Sequence, residues 1–230
     1  MQSLRSEFTE VWVPSSIVPI VQFADEARSI AGSGIDVIGL PGRQLPARLR
    51  EFDRIVSWYG ASRPEFVEAV QGLPFEFHAA LPTSDSNLHA SDFFLSQIGA
   101  ALGGRPVVKA VPAPVAETVI HPFSGGRKKN WPLAYFQDVA QGARDVCWLA
   151  GPEEVLDGSI HLESLADVAR CIAGAKRYVG NDSGITHLAA AVGVKVVAIF
   201  GPSEPRVWAP RGDNVTVLVN PTPAEVLRLC

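Results

Sequence analysis

The second half of the chain alternates short apolar runs with segments of helical spacing, and this alternation limits the possible folds more than any other feature. The clearest runs are residues 145–150 (DVCWLA), which end at Gly151-Pro152, and residues 195–200 (KVVAIF), which end at Gly201-Pro202. Runs this apolar are typical of strands buried on both faces of a parallel sheet that helices cover. The sequence therefore predicts an α/β domain and argues against an all-helical or all-β protein.

The other predicted elements of this half keep the same order. Further strands are predicted at residues 118–121, 177–180 and 215–219. Helices are predicted at residues 132–143, 164–173, 184–192 and 223–229, several of them with apolar positions that recur at helical spacing.

The first half alternates less clearly. Its candidate strands are residues 11–13, 37–40, 54–58 and 75–77, and its candidate helices are residues 16–23, 45–52, 64–70 and 87–102. A stretch rich in Gly and Pro follows and disfavours the interior of either element. We therefore predict an N-terminal domain at residues 1–105, a linker at 106–116 and a C-terminal domain at 117–230. Two facing Rossmann-like domains of this kind bind ligands at the carboxyl ends of their strands.

Composition excludes several classes of protein. The chain has 230 residues, of which 47% are hydrophobic, so it can bury a core and is not a disordered protein. Its formal net charge of −4 argues against a general nucleic-acid binder, whose affinity depends on neutralising phosphates. The three cysteines are far apart and odd in number, which indicates reduced thiols in the cytoplasm and not a disulfide framework.

The first candidate site is the segment HPFSGGRKKNWP, residues 121–132, between a predicted strand and a predicted helix. Gly125 and Gly126 allow a turn with inward N–H groups, and Ser124 adds a hydroxyl donor. Arg127-Lys128-Lys129 is the basic cluster of the chain. This combination predicts a phosphate site at a helix N-terminus, although it is not a Walker A loop. The alternative interpretation is a solvated basic loop. For the phosphate site itself, replacing Lys129 is expected to weaken binding of a diphosphate but hardly affect folding, because an exposed loop lysine contributes little to stability.

The second candidate site is the segment VGNDSGITHLAAA, residues 179–191, where a strand ends and a helix begins. Asp182 or Ser183 can serve as the N-cap, and Gly184 allows a ligand to approach the helix closely. His187 lies one turn into the helix. These groups and the helix N-terminus can bind a diphosphate. The alternative interpretation is a capped helix with a core histidine.

The two segments together resemble glycosyltransferase family 9, the family of the lipopolysaccharide heptosyltransferases. That family has an H-P-G-S-G-like turn, a basic stretch and W-P, and then G-x-D-[ST]-G-x-x-H-x-A-A-A and a strand ending F-G-P-[ST]-x-P. The matching segments here are HPFSGGRKKNWP, VGNDSGITHLAAAVG and VVAIFGPSEPRVWAP. The resemblance is specific over residues 118–212, and over residues 9–105 it is one of pattern only. It implies a GT-B-like α/β fold, with two Rossmann-like domains facing a cleft and an incomplete N-terminal domain.

The resemblance also implies roles for individual residues. The first domain is the acceptor side, and the second binds a nucleotide-sugar donor. Lys129 matches the lysine that neutralises the donor phosphates, and Glu153 or its neighbour Glu154 is placed to reach the ribose hydroxyls. The other residues implied in donor binding are Ser124, Gly125, Gly126, Asp182, Ser183, Gly184 and His187. Phe123 departs from the family, which commonly has a small residue at that position, and this departure could reshape the loop.

The implied activity is an inverting transfer of a heptose-like sugar. The donor is ADP-heptose or another nucleotide-diphospho-sugar, and the acceptor is a lipopolysaccharide core or another glycan. No metal or other cofactor is expected, because the sequence has neither a D-x-D pattern nor a cluster with metal-ligand spacing. The expected location is the cytoplasm, with at most peripheral contact with the inner face of the membrane.

The catalytic base is unassigned. In the family it follows the first strand, in a segment resembling LGDxxxxxP, and this sequence contains no such segment. Residues 1–8 (MQSLRSEF) resemble the end of the helix that follows that loop. A gene model started at an internal Met, a genuine short form and a deliberate truncation are the three explanations. The first is favoured, because losing a central strand removes much of a small domain's burial.

Three functions remain open on the sequence. The first is the glycosyltransferase. The second is a non-catalytic module that binds a nucleotide or nucleotide-sugar, because the donor half is present and the base is not. The third is another GT-B activity, such as a UDP-sugar epimerase-like enzyme, because a fold does not decide its chemistry. An exposed edge of the N-terminal sheet is expected to be covered by a partner chain, as in a homo-oligomer, or by residues 1–8.

Overall fold

The computed structural model describes residues 6–42, 44–82 and 87–230. The chain divides into two compact units, residues 1–102 and residues 103–230. Both units combine parallel strands with helices, which confirms the α/β class. Within the described ranges, every helix is too short or too polar to cross a membrane.

The first unit contains two separate pairs of parallel strands. Strand β1 (Glu10–Val13) pairs with β2 (Glu26–Ser29), and β3 (Ile55–Ser57) pairs with β4 (Phe75–Phe77). The helices are α1 (Pro64–Ala69) and α2 (Ala90–Gln97). Phe66 of α1 is fully buried and centres a cluster with Ile35, Ile38, Leu49 and Val70. The described residues of this unit form no single continuous sheet, as expected for an incomplete domain.

Sequence reasoning was wrong about the segments between these strands. Residues 37–40 were expected to form a strand, but Ile35–Val37 is a 3₁₀ turn. It lies between Gly34 and Gly39, whose φ angles are 81° and 87°, and left-handed backbone interrupts a strand. The helix expected at residues 16–23 is reduced to the 3₁₀ turn Val18–Ile20. The helix expected at residues 45–52 is the 3₁₀ helix Ala47–Glu51.

Strand β2 was missed because its sequence, EARS, is polar. Its charged side chains are used in ion pairs around Glu10 of β1, whose side chain is fully buried. Arg28 Nε lies 3.0 Å from Glu10 Oε1, and Arg48 Nη2 lies 2.7 Å from Glu10 Oε2. Residues 1–5, most of the segment expected to cover a sheet edge, lie outside the described residues.

The second unit is built on one six-stranded sheet in which every pairing is parallel. Its strands are β5 (Thr118–His121), β6 (Val146–Ala150), β7 (Ile160–His161), β8 (Arg177–Asn181), β9 (Lys195–Phe200) and β10 (Val215–Val219). The order across the sheet is β10-β9-β8-β5-β6-β7. From β5 the chain adds β6 and β7 on one side, and then adds β8, β9 and β10 on the other side. The carboxyl ends of β5 and β8 therefore form the switch point where such sheets bind ligands.

The helices of this unit confirm the predicted alternation. They are α3 (Leu133–Gly142), α4 (Leu165–Gly174), α5 (Gly184–Val192), α6 (Pro205–Trp208) and α7 (Pro223–Leu227). Sequence reasoning missed the two-residue strand β7 and the four-residue helix α6, which are too short to show a period.

Helices cover the two faces of the sheet. Phe136 and Val139 of α3 and Val226 of α7 pack with Ile120 and Val179 on one face. Side chains alternate along a strand, so Tyr178, next to Val179, points to the opposite face. There its hydroxyl lies 3.2 Å from Thr186 Oγ1 of α5, which places α5 on that second face.

The residues predicted as a linker, 106–116, belong to the second unit. The backbone N–H of Val108 donates to Ala191 O of α5, and that of Ala113 donates to Arg170 O of α4. Gly174 has no room for a side chain, because a Cβ there would lie 1.7 Å from Ala113 O. The segment is therefore fastened across the helices of this unit.

Candidate functional site

The two predicted site segments meet at the switch point, and Asn181 joins them. Its side chain is buried at the carboxyl end of β8. Asn181 Nδ2 donates to Pro122 O at 2.8 Å, and Asn181 Oδ1 accepts from the Trp131 N–H at 2.9 Å. One amide thus holds both ends of residues 122–131, here called the basic loop. Sequence reasoning did not single out Asn181, because its partners are 50 and 59 positions away.

Inside the basic loop, Ser124 acts as an internal brace. Its Oγ lies 2.7 Å from Asn130 Oδ1 and 2.9 Å from Gly126 O, so its one hydroxyl hydrogen is shared within the loop. Gly125 borders open space, a Cβ at Gly126 would make an ordinary contact with Lys129 Cγ at 3.9 Å, and neither glycine has a positive φ. The turn itself therefore does not require glycine at either position, contrary to the argument from sequence. Their missing side chains leave the loop surface open.

Lys129 contacts the second segment directly. It lies in the 3₁₀ turn Arg127–Lys129, and its Nζ donates to Asp182 Oδ2 at 2.8 Å. The Lys129 side chain is 43% exposed, whereas that of Asp182 is 5% exposed. The basic loop and the start of α5 therefore face each other, as predicted. Lys129 is partly exposed, as expected, but it has a charged partner within the protein, which sequence reasoning did not anticipate.

The start of α5 is organised by hydroxyl groups. Ser183 is the N-cap, and its Oγ accepts from the Thr186 N–H. Of the two capping candidates, the structure thus selects Ser183 over Asp182. Thr186 Oγ1 in turn donates to Asn181 O. Gly184, the first residue of the helix, borders open space, so a ligand could approach the free N–H groups there.

Buried Tyr178 contacts this turn through its hydroxyl, which lies 3.2 Å from Thr186 Oγ1. Burial raises the pKa of its hydroxyl, which stays protonated beside Thr186. A Cβ at Gly180 would lie 2.4 Å from the Tyr178 hydroxyl oxygen. Gly180 is therefore required by close packing. His187 is half-buried one turn further along α5.

A third group, at the carboxyl end of β6, was only partly anticipated. Glu153 is exposed, whereas its neighbour Glu154 is turned toward the sheet. Glu154 Oε2 accepts from the Gly151 N–H at 2.6 Å and lies 3.0 Å from His121 Nε2. Burial raises the pKa of Glu154, but the hydrogen bonds from His121 and Gly151 outweigh burial and lower the pKa overall.

His121 is the residue that sequence reasoning left without a role. Its side chain is 5% exposed at the end of β5, and its ring lies 6.0 Å from that of Phe123. It links β5 to the turn after β6 through Glu154. The available signal was its position as the last residue of an apolar strand before Pro122.

This edge of the sheet is suited to an anion. The N-terminus of a nine-residue helix, a basic loop and open space beside Gly125 and Gly184 lie at the same strand ends. An entering anion would compete with Asp182 for Lys129. Among the described residues, no group of His, Cys, Asp or Glu is arranged to hold a metal ion.

Comparison with known proteins finds a family similar to the part of the chain that contains the start of α5. Residues 158–227, which contain the start of α5 and its flanking strands, match the model of "Glycosyltransferase family 9 (heptosyltransferase)". Over these residues the chain is therefore similar to glycosyltransferase family 9. The chain is 29% identical over 140 residues to lipooligosaccharide heptosyltransferase 2 of Haemophilus influenzae. That alignment covers 52% of this chain and 38% of the relative, so the chain spans less than half of the relative's length.

Two solved structures share the fold of the chain. The family 9 glycosyl transferase of Veillonella parvula has a TM-score of 0.62 at 16% identity, covering 92% of this chain and 76% of that chain. The Escherichia coli ADP-heptose lps heptosyltransferase II has a TM-score of 0.58 at 19% identity, with coverages of 96% and 87%. These likenesses confirm the GT-B-like fold class.

Proposed function

We propose that this family 9-like protein binds the diphosphate of a nucleotide-sugar at the carboxyl edge of the sheet in its second unit. The observation that carries the proposal is the contact of Lys129 with Asp182, because it brings the basic loop to the start of α5. A diphosphate placed there would meet Lys129 and the N-terminus of α5.

The proposed reaction is transfer of a heptose-like sugar from that donor to a lipopolysaccharide core or a related glycan. It draws support from the names of similar proteins, which are lipooligosaccharide heptosyltransferase 2 and ADP-heptose lps heptosyltransferase II. ADP-heptose is therefore the first donor to test. The proposal assigns no catalytic base in this chain.

The proposal gives each site residue a role in donor binding. Lys129 and the N–H groups at Ser183 and Gly184 offset the charge that develops on the leaving diphosphate. Asp182 holds Lys129 in place before the donor arrives. The open space at Gly125 admits the phosphates, with Gly126 next to Lys129, Ser124 bracing the loop and His187 lining the first turn of α5. For the ribose hydroxyls, Glu154 is the better oriented of the two glutamates, because Glu153 points to solvent.

The test separates binding from transfer. Calorimetry of the chain against ADP, UDP and GDP measures the binding site, and the proposal requires saturable binding of at least one of them. A donor-hydrolysis or transfer assay with ADP-heptose then measures chemistry. Binding with no turnover of the donor would favour the non-catalytic module, and absence of binding to all three nucleotides would refute the proposed site.

A further inference from the structure

The side chain of His121 holds one oxygen of the Glu154 carboxylate. His121 is the last residue of β5, and its side chain is 5% exposed. Its Nε2 lies 3.0 Å from Glu154 Oε2. Because a glutamate is ionised at neutral pH, Glu154 is the acceptor and Nε2 carries the hydrogen. The hydrogen bond therefore has the same direction whether the imidazole is neutral or protonated.

Among the residues that the structure describes, Glu154 is the only hydrogen-bond partner of the His121 side chain. The other ring nitrogen, Nδ1, is buried and has no partner there. Burying a polar atom without a partner opposes folding, so an apolar side chain would be less costly at this position. The imidazole is therefore explained by its contact with Glu154 and not by a wider polar network in the core.

The turn after β6 leaves the second oxygen of Glu154 available. The Gly151 N–H donates to Oε2 at 2.6 Å, so Oε2 already has two donors, whereas no described residue donates to Oε1. A Cβ at Gly151 would lie 3.3 Å from Oε2, so glycine allows this close approach. The Glu154 side chain is 27% exposed, and Oε1 is not enclosed. Oε1 is therefore a fixed acceptor that a ligand can reach.

This acceptor lies at the same edge of the sheet as the proposed diphosphate site. Strand β5 lies between β8 and β6, so the start of α5, the basic loop and the turn of Glu154 follow three neighbouring strands. Neighbouring strands are about 4.8 Å apart, which separates the ends of β8 and β6 by about 10 Å. A nucleotide with its diphosphate at the start of α5 would extend its ribose toward β6. Its ribose hydroxyls can donate, and an ionised carboxylate only accepts.

We propose that His121 is a positioning residue that gives the site a preference for ribose. Together with the Gly151 N–H, it fixes Oε2 of Glu154 so that Oε1 accepts a hydrogen bond from a ribose hydroxyl. This inference rests on the proposed nucleotide-sugar site. Without His121 the carboxylate keeps one donor and regains freedom of rotation. The ribose must then order the carboxylate at a cost in affinity that a deoxyribose, which does not engage Oε1, avoids.

The test compares Kd values from calorimetry for the tightest of ADP, UDP and GDP with those for its 2′-deoxy and 3′-deoxy forms. In the parent, loss of the hydroxyl that contacts Glu154 should raise the Kd by about 10- to 100-fold, the range for a hydrogen bond to a charged group. E154A should abolish this preference. E153A, at the exposed neighbouring glutamate, should keep the parent's preference, and its loss there would overturn the assignment to Glu154.

Substitutions of His121 separate positioning from folding. H121M removes the donor and should weaken binding of the ribonucleotide by about 2- to 10-fold, the cost of ordering one side chain, while binding of the deoxynucleotide stays unchanged. H121Q gives a side chain of the same length with an amide that can donate to Glu154, so it should restore the preference. H121N gives a shorter amide that does not reach Glu154, so it should behave as H121M. Thermal unfolding establishes which variants are folded, and H121N replaces H121M if H121M is not.

Four results would overturn the inference. Equal loss of affinity for the ribose and deoxyribose forms in H121M would make His121 a structural residue only. An unchanged preference in H121M and H121N, or an H121Q protein that behaves as H121M does, would show that the hydrogen bond to Glu154 is not used. A parent that binds the nucleotide without preferring ribose would remove Glu154 from the site, while the diphosphate site would stand. A parent that binds none of the nucleotides would overturn both this inference and the proposed function.

Discussion

Replacing Lys129 by alanine removes the partner of a carboxylate that is 5% exposed. Breaking a fully buried ion pair in this way costs about 3–5 kcal/mol, whereas an exposed pair contributes about 0–1 kcal/mol. Because the Lys129 side chain is 43% exposed, the cost lies between these limits, at about 1–2 kcal/mol. In a unit of this size, that loss lowers the melting temperature by about 3–8 °C. This replaces the expectation from sequence that Lys129 hardly affects folding.

The same substitution should weaken nucleotide binding. A hydrogen bond to a charged group contributes about 1.5–3 kcal/mol, so the affinity for the tightest of ADP, UDP and GDP should fall by about 10- to 100-fold. Asp182 would then face the diphosphate without its counter-charge, which adds to the loss. Lys128→Ala is the matched control, because Lys128 is an exposed lysine of the same loop and should change stability by less than about 0.5 kcal/mol.

Thermal unfolding and calorimetry on the same samples decide between the two roles of Lys129. Adding Asp182→Asn to Lys129→Ala removes the unpaired charge, so the double variant should regain stability but still bind weakly. If Lys129→Ala loses stability and keeps its affinity, the ion pair is structural and the donor site lies elsewhere. Parental stability together with parental affinity would refute the reasoning entirely.

Three further predictions follow from other contacts. Asn181→Ala leaves two buried backbone groups without partners and should destabilise the unit by about 2–4 kcal/mol in urea unfolding, while parental stability would contradict its role as the clamp of the basic loop. Gly180→Ala should cost about 1–3 kcal/mol through overlap with the Tyr178 hydroxyl. Adding Tyr178→Phe should recover part of that loss, and no recovery would point to another cause. Because the pKa of Glu154 is lowered in the folded protein, its stabilising effect is present above its ordinary value of 4.5 and is lost as pH falls through the folded pKa. Glu154→Gln should flatten this acid limb of the stability profile, whereas Glu153→Gln, at the exposed neighbour, should not.

The sequence by itself determined most of the second unit. Its central strands are apolar runs, because strands buried on both faces of a parallel sheet accept few polar side chains. Strand β9 and helix α5 were therefore predicted at their observed bounds. The positions of the basic loop and the helix start also followed, because the ends of parallel strands share one edge. Prediction was poorer in the first unit, where glycines at positive φ and ion pairs around Glu10 decide the backbone path.

Tertiary structure alone decided how the site is held together. Lys129 and Asp182 are 53 positions apart, and either could have faced solvent. The clamp by Asn181 and the contact of Glu154 with His121 depend on which side chains other strands bring within hydrogen-bond distance. Local sequence encodes the propensity for helix or strand and the pattern of burial. A hydrogen bond or ion pair instead requires two atoms from distant segments to lie about 3 Å apart, with a tolerance of a few tenths of an ångström. Those distances exist only once the sheet has assembled.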